Sequence, residues 1–163
     1  IALQRPVLFS GTVRENLLWG RPDATNDELL EACRVAAADE FLGRIGGLDG
    51  DLGQGGDNVS GGQRQRLCIA RALVRRPRVL VFDDSTSAVD MATDARIREG
   101  LRQLTGVTKV IVAQRVASVA DADQIVILDN GEVHAVGTPA ELLAHDPIYQ
   151  ELYHTQVSEG DEE

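Results

Sequence analysis

Two short segments carry residue types suited to phosphate chemistry. Ser60-Gly61-Gly62-Gln63 heads the strongest helical pattern in the chain, which runs to Arg76. A hydroxyl beside two glycines at a helix start presents unhindered backbone N–H groups. The positive end of the helix dipole adds to them, so the segment suits an anion. Taken alone, Ser-Gly-Gly is more often a plain N-cap with flexible neighbours. Sixteen residues after Gln63 begins an unbroken apolar run, Val79 to Phe82, closed by Asp83-Asp84. An acidic residue at the C-terminal end of a buried strand is where a nucleotide site keeps its Mg²⁺ carboxylate.

Other chemistry is poorly provided for. Cys33 and Cys68 lie 35 positions apart in helical patterns, which reads as buried thiols in a reducing compartment. His134, His145 and His154 share no ligand spacing, so no structural metal is expected. A formal net charge of -10 disfavours nucleic acid as a partner. No run reaches the roughly 18 apolar residues of a membrane span, and the start is no signal peptide. At 163 residues and 43% hydrophobic, the chain has enough for one folded core.

The elements that must position these residues alternate between helices and apolar strands, which argues an α/β fold. Ile1 to Leu3 is a strand stub, and Val13 to Trp19 a short helix. Asn26 is a plausible N-cap for a helix to about Ala38, and Asp39 to Ile45 makes another. Gly46 to Asp57 holds six glycines and is a loop. Pro77 stops the helix from Ser60, and the run Val79 to Phe82 reads as a strand buried on both faces. A helix over Met91 to Leu104 precedes a second buried strand, Val110 to Ala113. Asp129-Asn130-Gly131 turns a hairpin between Gln124–Leu128 and Glu132–Val136. Thr138 and Pro139 open a helix as N-cap and first residue, and Pro147 to Thr155 forms the next.

On these residues the chain resembles the ABC (ATP-binding cassette) ATPase family. Ser60 to Gln63 match its signature motif, with Val59 where Leu is usual. Val79 to Asp83 match Walker B, Ser87-Ala88-Val89-Asp90 the D-loop, and Gln4 the Q-loop. The resemblance runs from Ile1 to about Gln156. It implies part of a P-loop NTPase fold over residues 1–157, the C-terminal portion of a nucleotide-binding domain. Residues 13–75 are then a helical signature subdomain, 76–157 the Walker B, D-loop and switch core, and 158–163 a disordered acidic tail. The implied cofactors are ATP and Mg²⁺. Gln4 and Asp83 are then Mg²⁺ contacts, with Gln4 also coupling to the membrane domain. Ser60, Gly61, Gly62 and Gln63 hold the γ-phosphate of an opposing domain, and Asp90 bridges the two sites. Arg64 and Arg66 are expected to face solvent or acidic neighbours. Phe9 to Asn16, and Asp51 to Gly56 with Gln54 where Glu is expected, look like exporter-type cassettes. That resemblance implies a soluble segment at the cytoplasmic face of the membrane, serving transmembrane domains elsewhere.

The family's Gly-x-x-x-x-Gly-Lys-Ser/Thr loop is not in this sequence, and Lys109, the only lysine, follows no such loop. The phosphate loop and the adenine-stacking aromatic are therefore expected upstream, in a missing N-terminal half of the domain. The Walker B strand is expected beside the phosphate-loop strand, which leaves it an open apolar edge. On that reading the chain alone binds ATP negligibly and tends to aggregate.

Two departures fall on the catalytic positions that the resemblance implies. Asp84 stands where active members carry Glu, shorter in reach by one methylene, about 1 Å, and a shift of that size costs on the order of a hundredfold in rate. Gln114 stands where the family has His, and it cannot shuttle a proton near neutral pH. Both weaken one site, while the signature that serves a partner is nearly standard. The expectation is a degenerate subunit of a heterodimeric exporter. Its rivals are a slow homodimer, a non-hydrolysing regulatory clamp and a soluble, non-transport ABC ATPase.

Overall fold

The computed structural model describes residues 1–85 and 88–160. Its helices and strands run α1 (Val13–Leu18), α2 (Asn26–Val35), α3 (Asp39–Leu42), α4 (Gly61–Val74), β1 (Val79–Asp83), α5 (Met91–Arg102), β2 (Thr108–Val112), β3 (Ile125–Asp129), β4 (Glu132–Gly137), α6 (Pro139–His145) and α7 (Pro147–Gly160). They form two units, Ile1–Val112 and Ala113–Glu163.

Four helices open on one reciprocal device. Thr12, Thr25, Ser60 and Thr138 each accept the backbone N–H three residues on. There Glu15, Glu28, Gln63 and Glu141 accept the cap residue's own N–H. Each such box satisfies two donors that a helix start leaves without intrahelical partners, and each cap is worth about 1 kcal/mol. The box also corrects one boundary. Thr25 caps α2 and Asn26 is its first residue, because only Thr25 has a Glu three positions later.

In the first unit, α4 is the central helix, packed against α1 and α2, while α2 also meets α5. Its apolar side, with Leu67, Ile69 and Leu73, joins Leu17, Leu29 and Phe41 in a single core. The strands lie at the margin of that core. Parallel β1 and β2 pair in register, Val79 with Thr108 through Asp83 with Val112. Neither strand is buried on both faces, as the unbroken apolar runs had implied. Leu80 and Phe82 are buried, but Val79 is 56% and Val110 45% exposed. Helices cover one face of the pair in this unit, so apolar residues of the other face stay in water.

The open edge also lies elsewhere than expected. On its second side β1 is bridged by Ala2, whose N–H donates to Val81 at 2.8 Å and whose carbonyl accepts from Asp83 at 2.9 Å. Within the β1–β2 pair, the edge without a partner among the described residues is that of β2.

The second unit is a hairpin and two helices around Val116, Ile127, Leu142 and Tyr149. Asn130 and Gly131 take φ of +49° and +84° between paired Asp129 and Glu132, the left-handed pair that a two-residue hairpin turn requires. Pro139 starts α6 behind its Thr138 cap, as read from the sequence. His134 of β4 meets the buried Asp146 at 2.8 Å, and the other oxygen of Asp146 accepts from Tyr149 N–H at the start of α7. Helix α7 continues to Gly160, past the expected start of a disordered tail; residues 161–163 lie outside the described residues.

Candidate functional site

The site grows from the end of β1. Asp83 closes the strand, and Asp84 leaves it in the left-handed region at φ +45°, with its N–H donating to Val112 at 2.9 Å. A short acidic side chain tolerates that conformation better than most residues do. The Ala2 bridge delivers the next chain segment to the same end of the strand. There the Gln4 amide Nε2 donates to Asp84 Oδ2 at 3.1 Å. Residues 80 positions apart are thus brought together by one strand stub and one strand.

Gln4 and Asp83 are both solvent-exposed. No group of three or more His, Cys, Asp or Glu that could hold a metal occurs among the described residues. An amide oxygen and one carboxylate nevertheless fit Mg²⁺, which keeps water and binds substrate phosphates in preference to an all-protein cage.

The second half of the site is the start of α4. The Ser60 hydroxyl accepts from Gln63 N–H at 3.3 Å, and Gln63 Oε1 accepts from Ser60 N–H at 3.0 Å. The plain N-cap role of Ser60 is therefore real, and it pre-sets the helix start that an anion would meet. The two glycines differ in purpose. A Cβ on Gly61 would meet nothing within 4 Å, whereas one on Gly62 would lie 3.0 Å from the Ala88 carbonyl oxygen. Gly61 is thus open to a ligand, and Gly62 admits the segment that precedes α5.

That segment ends in Asp90, the N-cap of α5. Its carboxylate accepts from Thr93 N–H at 2.9 Å and from Thr93 Oγ1 at 2.7 Å. These bonds hold the Asp90 carboxyl below the usual range, and the Arg66 charge adds to them. Ser87, the first D-loop residue, lies outside the described residues.

Arg66 meets an acidic neighbour as the sequence implied, whereas Arg64 is half-buried against a backbone carbonyl instead. Arg64 donates to the Gly56 carbonyl, and Arg66 reaches Glu40 at 2.6 Å and the Ala37 carbonyl at 3.0 Å, with its guanidinium over the Phe41 ring. Arg96 of α5 binds the same Glu40 and also Asp39. Burial pushes the Glu40 carboxyl up, but Arg96 and Arg66 together outweigh that and hold it low. This network ties α3, α4 and α5 behind the signature, and its acidic members were not singled out in the sequence.

Gln114 belongs to the second unit, where it is exposed. Its carbonyl accepts from Gln156 Nε2 at 3.0 Å, and Gln156 Oε1 accepts from Val116 N–H at 2.7 Å. Gln156 therefore clamps the backbone around Gln114, a role that no motif marked.

Two segments read separately in the sequence meet in the fold. Thr12 bridges Asp51, Val13 N–H donates to Gly50, and Leu52 N–H donates to Gly11. Ser10, Gly11, Thr12, Asp51, Gly53 and Gln54 line an open recess of about 710 Å³.

The model of the ABC transporter family matches residues 1–87. An uncharacterized ABC transporter ATP-binding protein of Mycobacterium tuberculosis is 50% identical over 157 residues, 94% of this chain and 27% of the relative. A putative multidrug export ATP-binding/permease protein of Staphylococcus aureus is 42% identical over 155 residues, 94% of this chain and 27% of its own. A bacterial Atm1-family ABC exporter solved with ATP bound superposes with a TM-score of 0.89 at 36% identity, over 95% of this chain and 28% of its own. The chain thus spans about a quarter of the length of these relatives. No helix among the described residues is long and apolar enough to cross a membrane.

Proposed function

This chain belongs to the ABC transporter family, and from that premise we propose that it is the signature-bearing part of a nucleotide-binding domain in an exporter-type transporter. The phosphate loop and the membrane helices belong to sequence outside this segment. The assembly works at the cytoplasmic face of the membrane with a second nucleotide-binding domain. The names of the Staphylococcus relative and of the Atm1-family structure support export. So does the recess shared by residues 10–12 and 51–54, which suits a cytoplasmic helix of the membrane domain.

In this reading the chain has two roles. Ser60, Gly61, Gly62 and Gln63 meet the γ-phosphate held by the partner domain, with the N–H groups of Gly61 and Gly62 free of intrahelical bonds and aided by the α4 dipole. Asp90 stands between the two sites. At its own site, Gln4 and Asp83 would hold Mg²⁺, which neutralises charge on the transferring phosphoryl group. Asp84 orients the attacking water and Gln114 faces the γ-phosphate. Both are poorer than Glu and His at those tasks, so this site hydrolyses slowly while the partner's site turns over. The assembly is then an asymmetric heterodimer.

One observation carries the proposal: β1 brings Asp83 and Asp84 to the point where Gln4 stands, and the Asp84 carboxylate reaches the Gln4 amide at 3.1 Å. The decisive experiment is single-turnover ATP hydrolysis by the intact transporter, comparing wild type with Asp84→Glu plus Gln114→His. A rise on the order of a hundredfold at this site is expected. No rise would remove the chemical basis for a degenerate site. Absence of hydrolysis at either site in wild type would favour a regulatory clamp.

A further inference from the structure

Gln65 lies on α4, five residues beyond Ser60, and is 1% exposed. Its Nε2 crosses to the amino-terminal strand stub and donates to the Leu3 carbonyl at 3.1 Å. That carbonyl belongs to the peptide bond whose N–H is that of Gln4. Gln4 in turn donates to Asp84. Two consecutive residues therefore receive the signature helix on one side and pass to the end of β1 on the other.

The cost of this arrangement is visible in the same side chain. Gln65 Oε1 is buried and has no hydrogen-bond partner. A buried acceptor left unmatched destabilises a fold, and an apolar side chain of similar size would avoid the loss. Packing therefore does not account for an amide at this position. What only the amide supplies is a fixed hold on the Leu3–Gln4 peptide. The N-terminal approach to that peptide is already fixed by the Ala2 bridge to β1. With Gln65 in place, Gln4 is set relative to both β1 and α4.

We infer that Gln65 is a positioning residue that couples the signature helix to Gln4 and Asp84, so that what happens at Ser60 to Gln63 is felt at this chain's own site. The inference rests on the ATPase reading above. It makes α4 a lever whose start, at Ser60, and whose second turn, at Gln65, serve different nucleotides. Gln65 acts through Gln4 and touches no nucleotide itself.

The test is single-turnover ATP hydrolysis at this chain's own site, with thermal melting, in the intact transporter in four forms: wild type, Gln65→Leu, Gln4→Ala and the double variant. Each single substitution is expected to lower that single-turnover rate by about tenfold, with the ATP concentration that gives half the maximal rate within about twofold. The double variant should be no slower than the slower single one, because both changes break the same link. Melting should stay level or rise in Gln65→Leu, since the unmatched Oε1 is gone. A double variant slowed by the product of the two effects would overturn the coupling. So would activity lost only in step with a lower melting temperature, in Gln65→Leu and in the unbranched Gln65→Met alike. A wild type that hydrolyses no ATP would instead overturn the proposed function and this inference together.

Discussion

Ser60 places two demands on one hydroxyl. It completes the capping box with Gln63 and, in the proposed function, faces the partner's γ-phosphate. The two roles separate by substitution. Ser60→Ala is expected to lower stability in urea by about 1 kcal/mol, the usual worth of a lost cap. Ser60→Asp caps equally well and suits the helix dipole, so stability should hold. Its charge opposes a phosphate, so hydrolysis at the partner's site should fall by tenfold or more. Loss of stability in Ser60→Asp would show that the hydroxyl is needed for the fold itself. Cys33 is a second case decided by a single environment. Burial, with the Asp39 charge adding, pushes its thiol up to about 12. Iodoacetamide should leave Cys33 unmodified in the native protein and label it only in denaturant, as read by mass spectrometry.

At the scale of elements, α2 shows how much of a helix is settled by its first turn. Thr25 N–H donates to Glu28 Oε2, and Arg21 and Arg76 flank the same carboxylate. The Thr25 hydrogen bond and then Arg21 hold the Glu28 carboxyl down to about 2. Because the folded value lies below the ordinary glutamate value of 4.5, this group stabilises the fold above pH 4.5. The contribution fades as pH falls from there toward about 2. Urea midpoints measured across that window should fall less steeply in Glu28→Gln than in wild type. Parallel slopes would mean that Glu28 contributes no linkage. Sequence alone placed this helix to within a residue at its start, but it chose Asn26 over Thr25. The reciprocal bond depends on which residue stands three positions ahead of Glu28.

For the whole molecule, the parallel pair β1–β2 sits beside the helical core with one edge open among the described residues. That edge carries exposed Val110 and Val112. A strand with unpaired N–H and C=O groups and apolar side chains is a template for pairing with other chains. This segment expressed alone is expected to self-associate in light scattering at micromolar concentration. Val110→Lys, which puts a charge on the open strand, should reduce that association. Equal scattering by both forms would move the cause to another surface.

Local features whose physics is short-ranged were legible in the amino-acid sequence. These were the helix that starts at Ser60, the Thr138-Pro139 entry to α6, the Asn130-Gly131 turn, and the family, since Ser60 to Gln63 and Val79 to Asp83 are contiguous motifs. Features that depend on contacts between distant residues came from the folded arrangement. It set Gln4 against Asp84 through the Ala2 bridge, joined residues 10–12 to 51–54, and placed Gln65 on the Leu3 carbonyl. It also gave β1 two partners and left β2 the open edge, although both strands read as equally apolar. Strand order and burial follow from long-range pairing, and an apolar run of four or five residues does not state its neighbours.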